Sequence, residues 1–201
     1  MPDLTIIAGC NGSGKSSTGH TFLPDRVQPF DYDKRFLEIY RAMSDNELRE
    51  AIAKNQTTCE FEEAVNQAIE HGLDFCYETN FDEHPIYWAE KFSDAGYSLN
   101  LIFFCLESQE LAQERVQIRT ENKGHFVTDS VIDYKWKAGY KNANLHYHFF
   151  DNILVVDNST TNQIYTNLLQ VEGKEITLMV RNLPSWFERR FPGIVKMLDQ
   201  D

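Results

Sequence analysis

A glycine-rich loop that ends in a lysine lies close to the start of the chain and strongly constrains the fold. Residues 9–16 read GCNGSGKS, which matches the phosphate-loop pattern G-x-x-x-x-G-K-[ST]. A pattern this short recurs by chance, so the flanking residues decide its meaning. The apolar, β-branched run at residues 4–8 predicts a buried strand before the loop, and residues 15–22 predict a helix after it. A strand, a loop and a helix in this order predict an α/β fold with a phosphate site.

The chemistry of phosphate binding explains the residue types in this loop. Glycines allow successive backbone N–H groups to wrap around a phosphate, and the following helix adds the positive end of its dipole. Lys15 is expected to bridge the β- and γ-phosphates of a nucleotide, and the Ser16 hydroxyl is expected to hold Mg²⁺. The residues predicted to bind the nucleotide are Gly9, Asn11, Gly12, Ser13, Gly14, Lys15, Ser16 and Ser17.

The rest of the chain alternates between strand-like and helical segments. Further strands are predicted at residues 26–30, 73–77, 99–106 and 153–156, and helices at residues 44–72 (with or without a break near 55–58), 86–95, 108–122 and 129–147. This alternation predicts a P-loop NTPase-type three-layer sandwich with a mainly parallel sheet. A β-hairpin at residues 163–171 and 175–180 and a short terminal helix would complete it. We expect a single domain over residues 1–201, with a core at about residues 4–158 and the hairpin and helix at about residues 159–201.

Composition narrows the classes of protein. Of the 201 residues 42% are hydrophobic, yet no apolar run is long enough to span a bilayer. The formal net charge of −12 makes nucleic acid a poor partner, because an acidic surface repels phosphate backbones. The N-terminus lacks the features of a signal peptide, so we expect a cytoplasmic protein that binds no membrane.

Carboxylates follow two of the predicted strands, at the sheet edge where open α/β folds bind ligands. Asp33 follows the second strand, and Glu78 ends the third. A kinase that phosphorylates a hydroxyl needs a carboxylate to accept or orient the hydroxyl proton beside the γ-phosphate. Asp33 is predicted for this role, and Asp31 is the alternative if the segment stays extended. Glu78 would act on Mg²⁺ through a water or bind the acceptor; a solvated acidic residue is the alternative for each position.

Two arginines could supply positive charge over the γ-phosphate. Arg115 and Arg119 lie four residues apart on a predicted helix, and therefore on one face of it. We predict that they stabilise charge during phosphoryl transfer. Surface pairing with Glu110 or Glu114 is the competing interpretation, because such pairs are common on helices.

Other basic residues are weaker candidates. Lys135 and Lys137 on the next predicted helix could also approach the γ-phosphate. His125 stands in the predicted turn at residues 123–125 and would contact phosphate or substrate, or be an ordinary loop histidine. The guanine-reading pattern N-K-x-D is absent from the sequence, which argues against a GTPase.

Taken in order, these segments resemble the zeta-toxin family of P-loop kinases. AGCNGSGKSS is similar to the strand and phosphate loop of that family, FDYDKR to its N-A-D-E-I-R, and YETNF to its E-T-T-L-S. The long run at residues 95–132 is similar to the family pattern with two arginines and a G-G-H turn, and VVDNS, with Asp157, to its strand-ending D-N-S. The resemblance covers about residues 4–158.

The resemblance implies an ATP-dependent small-molecule kinase that uses Mg²⁺. It places Asp33 on the family's catalytic aspartate, and Arg115 and Arg119 on its two arginines. Asp31, which takes the place of the family's asparagine, is expected to bind the substrate together with Glu78, Asn80 and His125. It also implies UDP-N-acetylglucosamine, or another UDP-sugar, as the phosphate acceptor. A protein antitoxin is an implied partner.

The sequence departs from the family pattern on the lid and acceptor side. Lys123 replaces the first glycine of G-G-H, Thr128 replaces a proline, and residues 134–137 (YKWK) replace an arginine-rich stretch. Two alternatives to a UDP-sugar kinase therefore stay open. One is another hydroxyl kinase, of the antibiotic or polynucleotide type. The other is a regulatory module that binds ATP without transferring phosphate.

Overall fold

The computed structural model describes residues 1–121, 127–160, 165–173 and 175–198. The strands are β1 Asp3–Ala8, β2 Phe75–Thr79, β3 Ser98–Cys105, β4 Asn152–Asp157, β5 Thr166–Glu172 and β6 Glu175–Met179. The α-helices are α1 Lys15–Thr18, α2 Tyr32–Ala42, α3 Arg49–His71, α4 Tyr87–Asp94, α5 Gln109–Glu121, α6 Asp129–His146, α7 Ser185–Arg190 and α8 Pro192–Leu198. Single turns of 3-10 helix span Gly19–Phe22 and Tyr147–Phe149.

The six strands form one sheet in the order β2-β1-β3-β4-β5-β6. The first four strands in that order pair in parallel, and the hairpin β5–β6 continues the sheet in antiparallel pairing. The predicted α/β class with a mainly parallel sheet is confirmed, and so is the hairpin. The carboxyl ends of the parallel strands meet at one edge, where ligands of such sheets bind.

The helices cover the two faces of the sheet unequally. Helices α3 to α8 contribute to one large apolar core, which includes Phe61, Phe92, Trp136 and Phe187 against the strands. A smaller cluster on the opposite face centres on Ile7 and Phe104. Three side chains that pack against it are Phe22, Leu23 and Val27. The third layer of the sandwich is therefore thin, and the 3-10 turn at Gly19–Phe22 with the segment that follows it makes up much of it.

The segment around Asp33 differs from the sequence prediction. Residues 26–30 do not form a full strand; Phe30 alone makes a parallel bridge to Tyr77. The chain then turns into α2, a helix that the sequence analysis did not predict. Asp31 is its N-cap, with Oδ1 accepting a hydrogen bond from the Lys34 N–H at 3.0 Å. Asp31 and Asp33 therefore do not share the side of an extended strand, because capping begins a helix between them.

Helix α3 runs without a break from Arg49 to His71, so the interruption considered near residues 55–58 does not occur. Thr57 stays in the helix because it is buried and its hydroxyl donates to the Ala53 carbonyl at 2.7 Å. The helix after the phosphate loop is shorter than predicted, and two short helices replace the single terminal one. Within the part of the chain that the structure describes, no helix has both the length and the hydrophobicity needed to cross a bilayer.

Candidate active site

The phosphate loop is shaped by three glycines in conformations that other residues rarely adopt. Gly9, Gly12 and Gly14 have φ values of 141°, 81° and 93°. A Cβ at Gly12 would lie 2.6 Å from the Ala112 carbonyl oxygen of α5, and one at Gly9 would lie 2.5 Å from the Phe104 carbonyl oxygen of β3. Both the backbone and the available space therefore require glycine.

The side chain of Lys15 lies over this loop. Its Nζ donates to the carbonyl oxygens of Gly9 at 2.6 Å and Cys10 at 3.1 Å. Loss of hydration lowers the pKa of the Lys15 ammonium, and the negative charges of Glu78 and Asp33 oppose that shift. A phosphate would give this cation a charged partner in place of two neutral carbonyls.

A hydroxyl and a carboxylate meet beside the loop. The Ser16 Oγ donates to Glu78 Oε2 at 2.6 Å, from the start of α1 to the end of β2. Burial raises the pKa of the Glu78 carboxyl; the hydrogen bond from Ser16 lowers it, while the charges of Asp31 and Asp33 raise it further. Hydroxyl and carboxylate oxygens are the ligands that Mg²⁺ prefers, so this pair fits the cation.

The two aspartates before and within α2 both line the cleft above Lys15. The Asp31 carboxylate is engaged as the helix cap, as described above. Asp33 is exposed in the first helical turn, and its side chain makes no hydrogen bond or ion pair with any residue that the structure describes. Helix α2 is held against α3 by Arg35, whose Nη2 donates to Glu60 Oε1 at 3.0 Å. A fixed helix thus presents a free carboxylate to the cleft.

Asn80 and Lys135 extend the site on the side of β2. With the Asn80 amide oriented so that both of its ends are satisfied, Nδ2 donates to the Gly9 carbonyl at 3.3 Å. The Lys135 Nζ of α6 then donates to Asn80 Oδ1 at 3.0 Å. Lys135, which the sequence analysis ranked below the arginines, therefore lies next to the phosphate loop. Lys137 is exposed and does not line the cleft.

Helix α6 also fixes the backbone of the loop after β2, which sequence reasoning missed. Phe81 is fully buried in a left-handed conformation, with φ of 60°. The Asn142 side chain donates to the carbonyl oxygens of Phe81 and Asp82. Gly139 allows the close approach, because a Cβ there would lie 2.8 Å from the Asn80 carbonyl oxygen. Strained backbone of this kind is often found at functional sites.

The two predicted arginines occupy different environments. Arg115 donates from Nη1 to the Asn158 carbonyl at 2.8 Å and from Nη2 to the Thr160 carbonyl at 3.1 Å, so it ties α5 to the loop after β4. These bonds go to backbone carbonyls, so the surface pair with Glu110 or Glu114 does not describe its contacts. Arg119 is exposed one turn further along and also lines the cleft. His125 lies outside the described residues.

Asn158 is a second residue that sequence reasoning missed as a contact of the phosphate loop. It is 7% exposed, and its Nδ2 donates to the Ser13 carbonyl at 2.8 Å. The Ser13 hydroxyl itself is buried and has no hydrogen-bond partner in the described part of the chain. The D-N-S sequence at residues 157–159, directly after a predicted strand, could have indicated that Asn158 lies near the phosphate loop. An unsatisfied donor inside a cradle of N–H groups fits an anion-binding loop.

A cleft of about 1640 Å³ runs along the carboxyl edge of the sheet. In the sheet, β2 lies on one side of β1, and β3 and then β4 lie on the other. The phosphate loop follows β1, so it separates the end of the cleft beside β2 from the end beside β4. Asp31, Asp33, Glu78 and Asn80 lie at the β2 end, and Arg115, Asn158, Thr160 and Tyr165 lie at the β4 end. The structure thus brings the predicted aspartates and glutamate together, and places Arg115 across the loop from them.

Solved structures share this fold at low sequence identity. One, from the PezAT chromosomal toxin–antitoxin system of Streptococcus pneumoniae, has 14% identity and a TM-score of 0.62, over 100% of this chain and 87% of that chain. AvrRxo1-ORF1:ORF2 with ATP has 12% identity and a TM-score of 0.64, over 89% and 60% of the two chains. The Pnkp1/Rnl/Hen1 RNA repair complex has 20% identity and a TM-score of 0.53, over 75% and 46%.

The sequence comparisons give a consistent result at the level of the family. No curated protein sequence matches the chain significantly. The profile of the zeta toxin family matches residues 1–170, which include the phosphate loop, both aspartates, Glu78 and both arginines. Membership of that family supports an ATP-using function of the kinase type. The chain belongs to the zeta toxin family.

Proposed function

We propose that the protein transfers the γ-phosphate of ATP to a hydroxyl group of a small molecule. The observation that carries this proposal is the position of the unpaired Asp33 carboxylate, in the same cleft as Lys15 and within reach of its charge. A phosphate loop alone does not identify the function, because motor proteins and molecular switches also contain one. A free carboxylate beside it is what a hydroxyl kinase requires.

In this proposal the triphosphate is bound by residues 9–17, and the base lies toward the β4 end of the cleft. Backbone N–H groups of the loop and the Lys15 ammonium bind the phosphates, while Ser16 and Glu78 are the residues that would hold Mg²⁺. The metal would supply charge neutralisation to the phosphate oxygens. The loop at residues 158–160, which Arg115 holds, would border the base.

Asp33 would accept the proton of the attacking hydroxyl as its oxygen bonds to the γ-phosphorus and ADP leaves. Lys15, Lys135 and Arg119 would stabilise the charge on the phosphoryl group during transfer. Asp31 shapes this arrangement by capping α2, which fixes the position of the helix that carries Asp33. The shared cleft and the exposed Asp33 carboxylate support these roles.

We further infer that the acceptor is anionic, as a UDP-sugar such as UDP-N-acetylglucosamine would be. Lys34, Arg41 and Lys54 line the outer part of the cleft at its β2 end. They belong to α2, which carries Asp33, and to α3, and they would supply positive charge to a second phosphorylated molecule. The resemblance to the family supports this class of acceptor, and the volume of the cleft leaves room for it beside ATP.

Consumption of ATP in the presence of UDP-sugars, free sugars and nucleosides tests this proposal. We expect a product with one UDP-sugar, and a fall in kcat of at least about 100-fold in Asp33→Asn, because the general base is lost. Lys15→Ala should lose activity through weaker ATP binding as well as slower transfer. Asp94→Asn is the matched control, since Asp94 is exposed at the end of α4, near the opposite edge of the sheet.

Two results would contradict the proposal. Equal activity of Asp33→Asn and Asp94→Asn would remove Asp33 from catalysis. Tight ATP binding without a phosphorylated product from any acceptor would identify the regulatory module instead.

We also propose a protein antitoxin as a partner. Membership of the zeta toxin family supports it, and one similar structure comes from a toxin–antitoxin system. Co-expression of the chain with the product of an adjacent gene, followed by purification through a tag on the chain, tests this association. Failure of the two proteins to co-purify would contradict it.

A further inference from the structure

An arginine near the C-terminus is surrounded by aromatic rings. The Arg190 guanidinium, at the end of α7, lies 4.8 Å from the centroid of the Trp136 ring, 5.4 Å from that of Tyr140 and 5.0 Å from that of Trp186. Cations are attracted to the faces of such rings. These contacts fix α7 against α6, so the guanidinium has a defined position.

The donor groups of Arg190 are directed at one backbone turn. Nη1 donates to the Leu106 carbonyl and Nη2 to the Glu107 carbonyl, in the turn between β3 and α5. The Tyr140 hydroxyl donates to the same Leu106 carbonyl at 3.2 Å. A planar guanidinium can bind two neighbouring carbonyl oxygens at once, which an apolar side chain of similar length cannot do.

The turn at residues 106–107 is hydrogen-bonded to the loop at residues 158–160, which borders the β4 end of the cleft. The Glu107 N–H donates to Ser159 Oγ at 2.7 Å, and the Ser159 hydroxyl donates a hydrogen bond to Asp157 Oδ1. The Asn158 N–H donates to the Cys105 carbonyl at 3.0 Å. Through its side chain, Asn158 then reaches the Ser13 carbonyl of the phosphate loop.

Electrostatics place Arg190 close to the same loop. Burial raises the pKa of the Cys10 thiol to about 11, and the positive charges of Lys15, Arg190 and Arg115 all oppose that rise. The charge of Arg190 therefore reaches the phosphate loop, although the residue lies beyond residues 1–170, which the family profile matches.

We propose that Arg190 is a positioning residue for ATP: by holding the turn at residues 106–107, it fixes the loop at residues 158–160 against which the base of ATP is bound. This inference rests on the proposed function, which places the base at the β4 end of the cleft. The C-terminal segment thereby becomes part of the nucleotide site without touching the nucleotide.

Calorimetric titration with a non-hydrolysable ATP analogue and with inorganic tripolyphosphate tests this role. Arg190→Met keeps the packing against the rings but loses both donors. We expect it to weaken binding of the ATP analogue by about tenfold, and binding of tripolyphosphate by a clearly smaller factor that reflects only the lost charge near the phosphate loop. Arg190→Lys, which keeps a charge and a donor, should lose less. Arg189→Met is the matched control, because Arg189 is exposed on the same helix.

The outcomes separate this inference from the proposed function. Absence of ATP-analogue binding in the wild-type protein would overturn both. Equal binding by Arg190→Met and Arg189→Met would overturn the role of Arg190 alone, as would an equal loss of both ligands, which indicates general damage to the phosphate loop. If Arg190→Met does not fold by circular dichroism, Arg190→Lys decides: affinities equal to wild type for both ligands would reject the proposal.

Discussion

At the scale of single residues, the cleft concentrates charges that burial makes unfavourable. Glu78 is a carboxylate with a raised pKa, and Lys15 is an ammonium with a lowered one. Both shifts have the same leading cause, the loss of hydration of a charged group. Such residues reduce the stability of the free protein, and a ligand with phosphates and a divalent cation would relieve the cost.

Glu78→Gln should therefore stabilise the protein at neutral to alkaline pH. The folded-state pKa of Glu78 lies above its unfolded-state value, so stability falls as the pH rises from the unfolded-state pKa and the loss is complete above the folded-state pKa. Below the unfolded-state value, at about pH 4, both states are protonated and the cost disappears. Thermal unfolding should give a higher Tm for Glu78→Gln than for wild type at about pH 8, and a smaller difference at about pH 4.

Glu63→Gln controls for this measurement, because Glu63 is exposed on α3 and the substitution removes the same charge. A Tm increase that is equal in the two variants would indicate an effect of net charge only. A decrease in Tm for Glu78→Gln at about pH 8 would contradict the assigned direction of the shift.

At the scale of secondary-structure elements, α6 fixes the loop after β2 through a close approach at Gly139. Alanine normally favours a helix over glycine by about 1 kcal/mol. Here the added Cβ would lie 2.8 Å from the Asn80 carbonyl oxygen, so α6 or the loop would have to shift. We expect Gly139→Ala to lower stability by about 1–3 kcal/mol in denaturant unfolding, as overpacking does, and to reduce kinase activity by moving Asn80.

Lys141→Ala, at an exposed position of the same helix, should change neither stability nor activity appreciably. A gain in stability for Gly139→Ala, of the size that helix propensity predicts, would show that the loop after β2 yields easily. The proposed positioning of Asn80 by α6 would then be wrong.

The sequence allowed most elements to be predicted where apolar runs and loops alternate clearly. The strand at residues 98–105 is a nearly continuous apolar run, and its boundaries were predicted to within a residue. Helix α2 was missed because FDYDKR was interpreted as the end of a strand. The available signal was Asp31, a residue type that favours the N-cap, three residues before Lys34.

The phosphate loop of the site could be predicted from the sequence, but the side chains that support it from distant elements could not. Residues of the phosphate loop are contiguous, so their spacing in the sequence determines their geometry. Lys135, Asn142, Asn158 and Arg190 act across sequence separations of 55 to 145 residues, through contacts that exist only once helices pack on the sheet. The roles assigned to Asp33, Arg115, Arg119 and Glu78 stay predictions until activity is measured.

At the scale of the whole molecule, the chain that contains this phosphate loop carries a net charge of −12. At lower salt, charges are less screened, so an acidic surface repels a polynucleotide more strongly. A protein that binds phosphates through basic side chains instead binds the polynucleotide more tightly at lower salt. We therefore expect no retention of single-stranded RNA or DNA in gel-shift experiments at about 150 mM salt, and none at about 50 mM. Binding that appears on lowering the salt would point to a polynucleotide acceptor.

The position of β1 between β2 and β4 has a stereochemical consequence. If donor and acceptor lie on opposite sides of the phosphate loop, as proposed, the phosphoryl group would pass directly from one oxygen to the other in a single in-line displacement. Each turnover would then invert the configuration at a chirally labelled γ-phosphorus, and no phosphorylated form of the protein would accumulate.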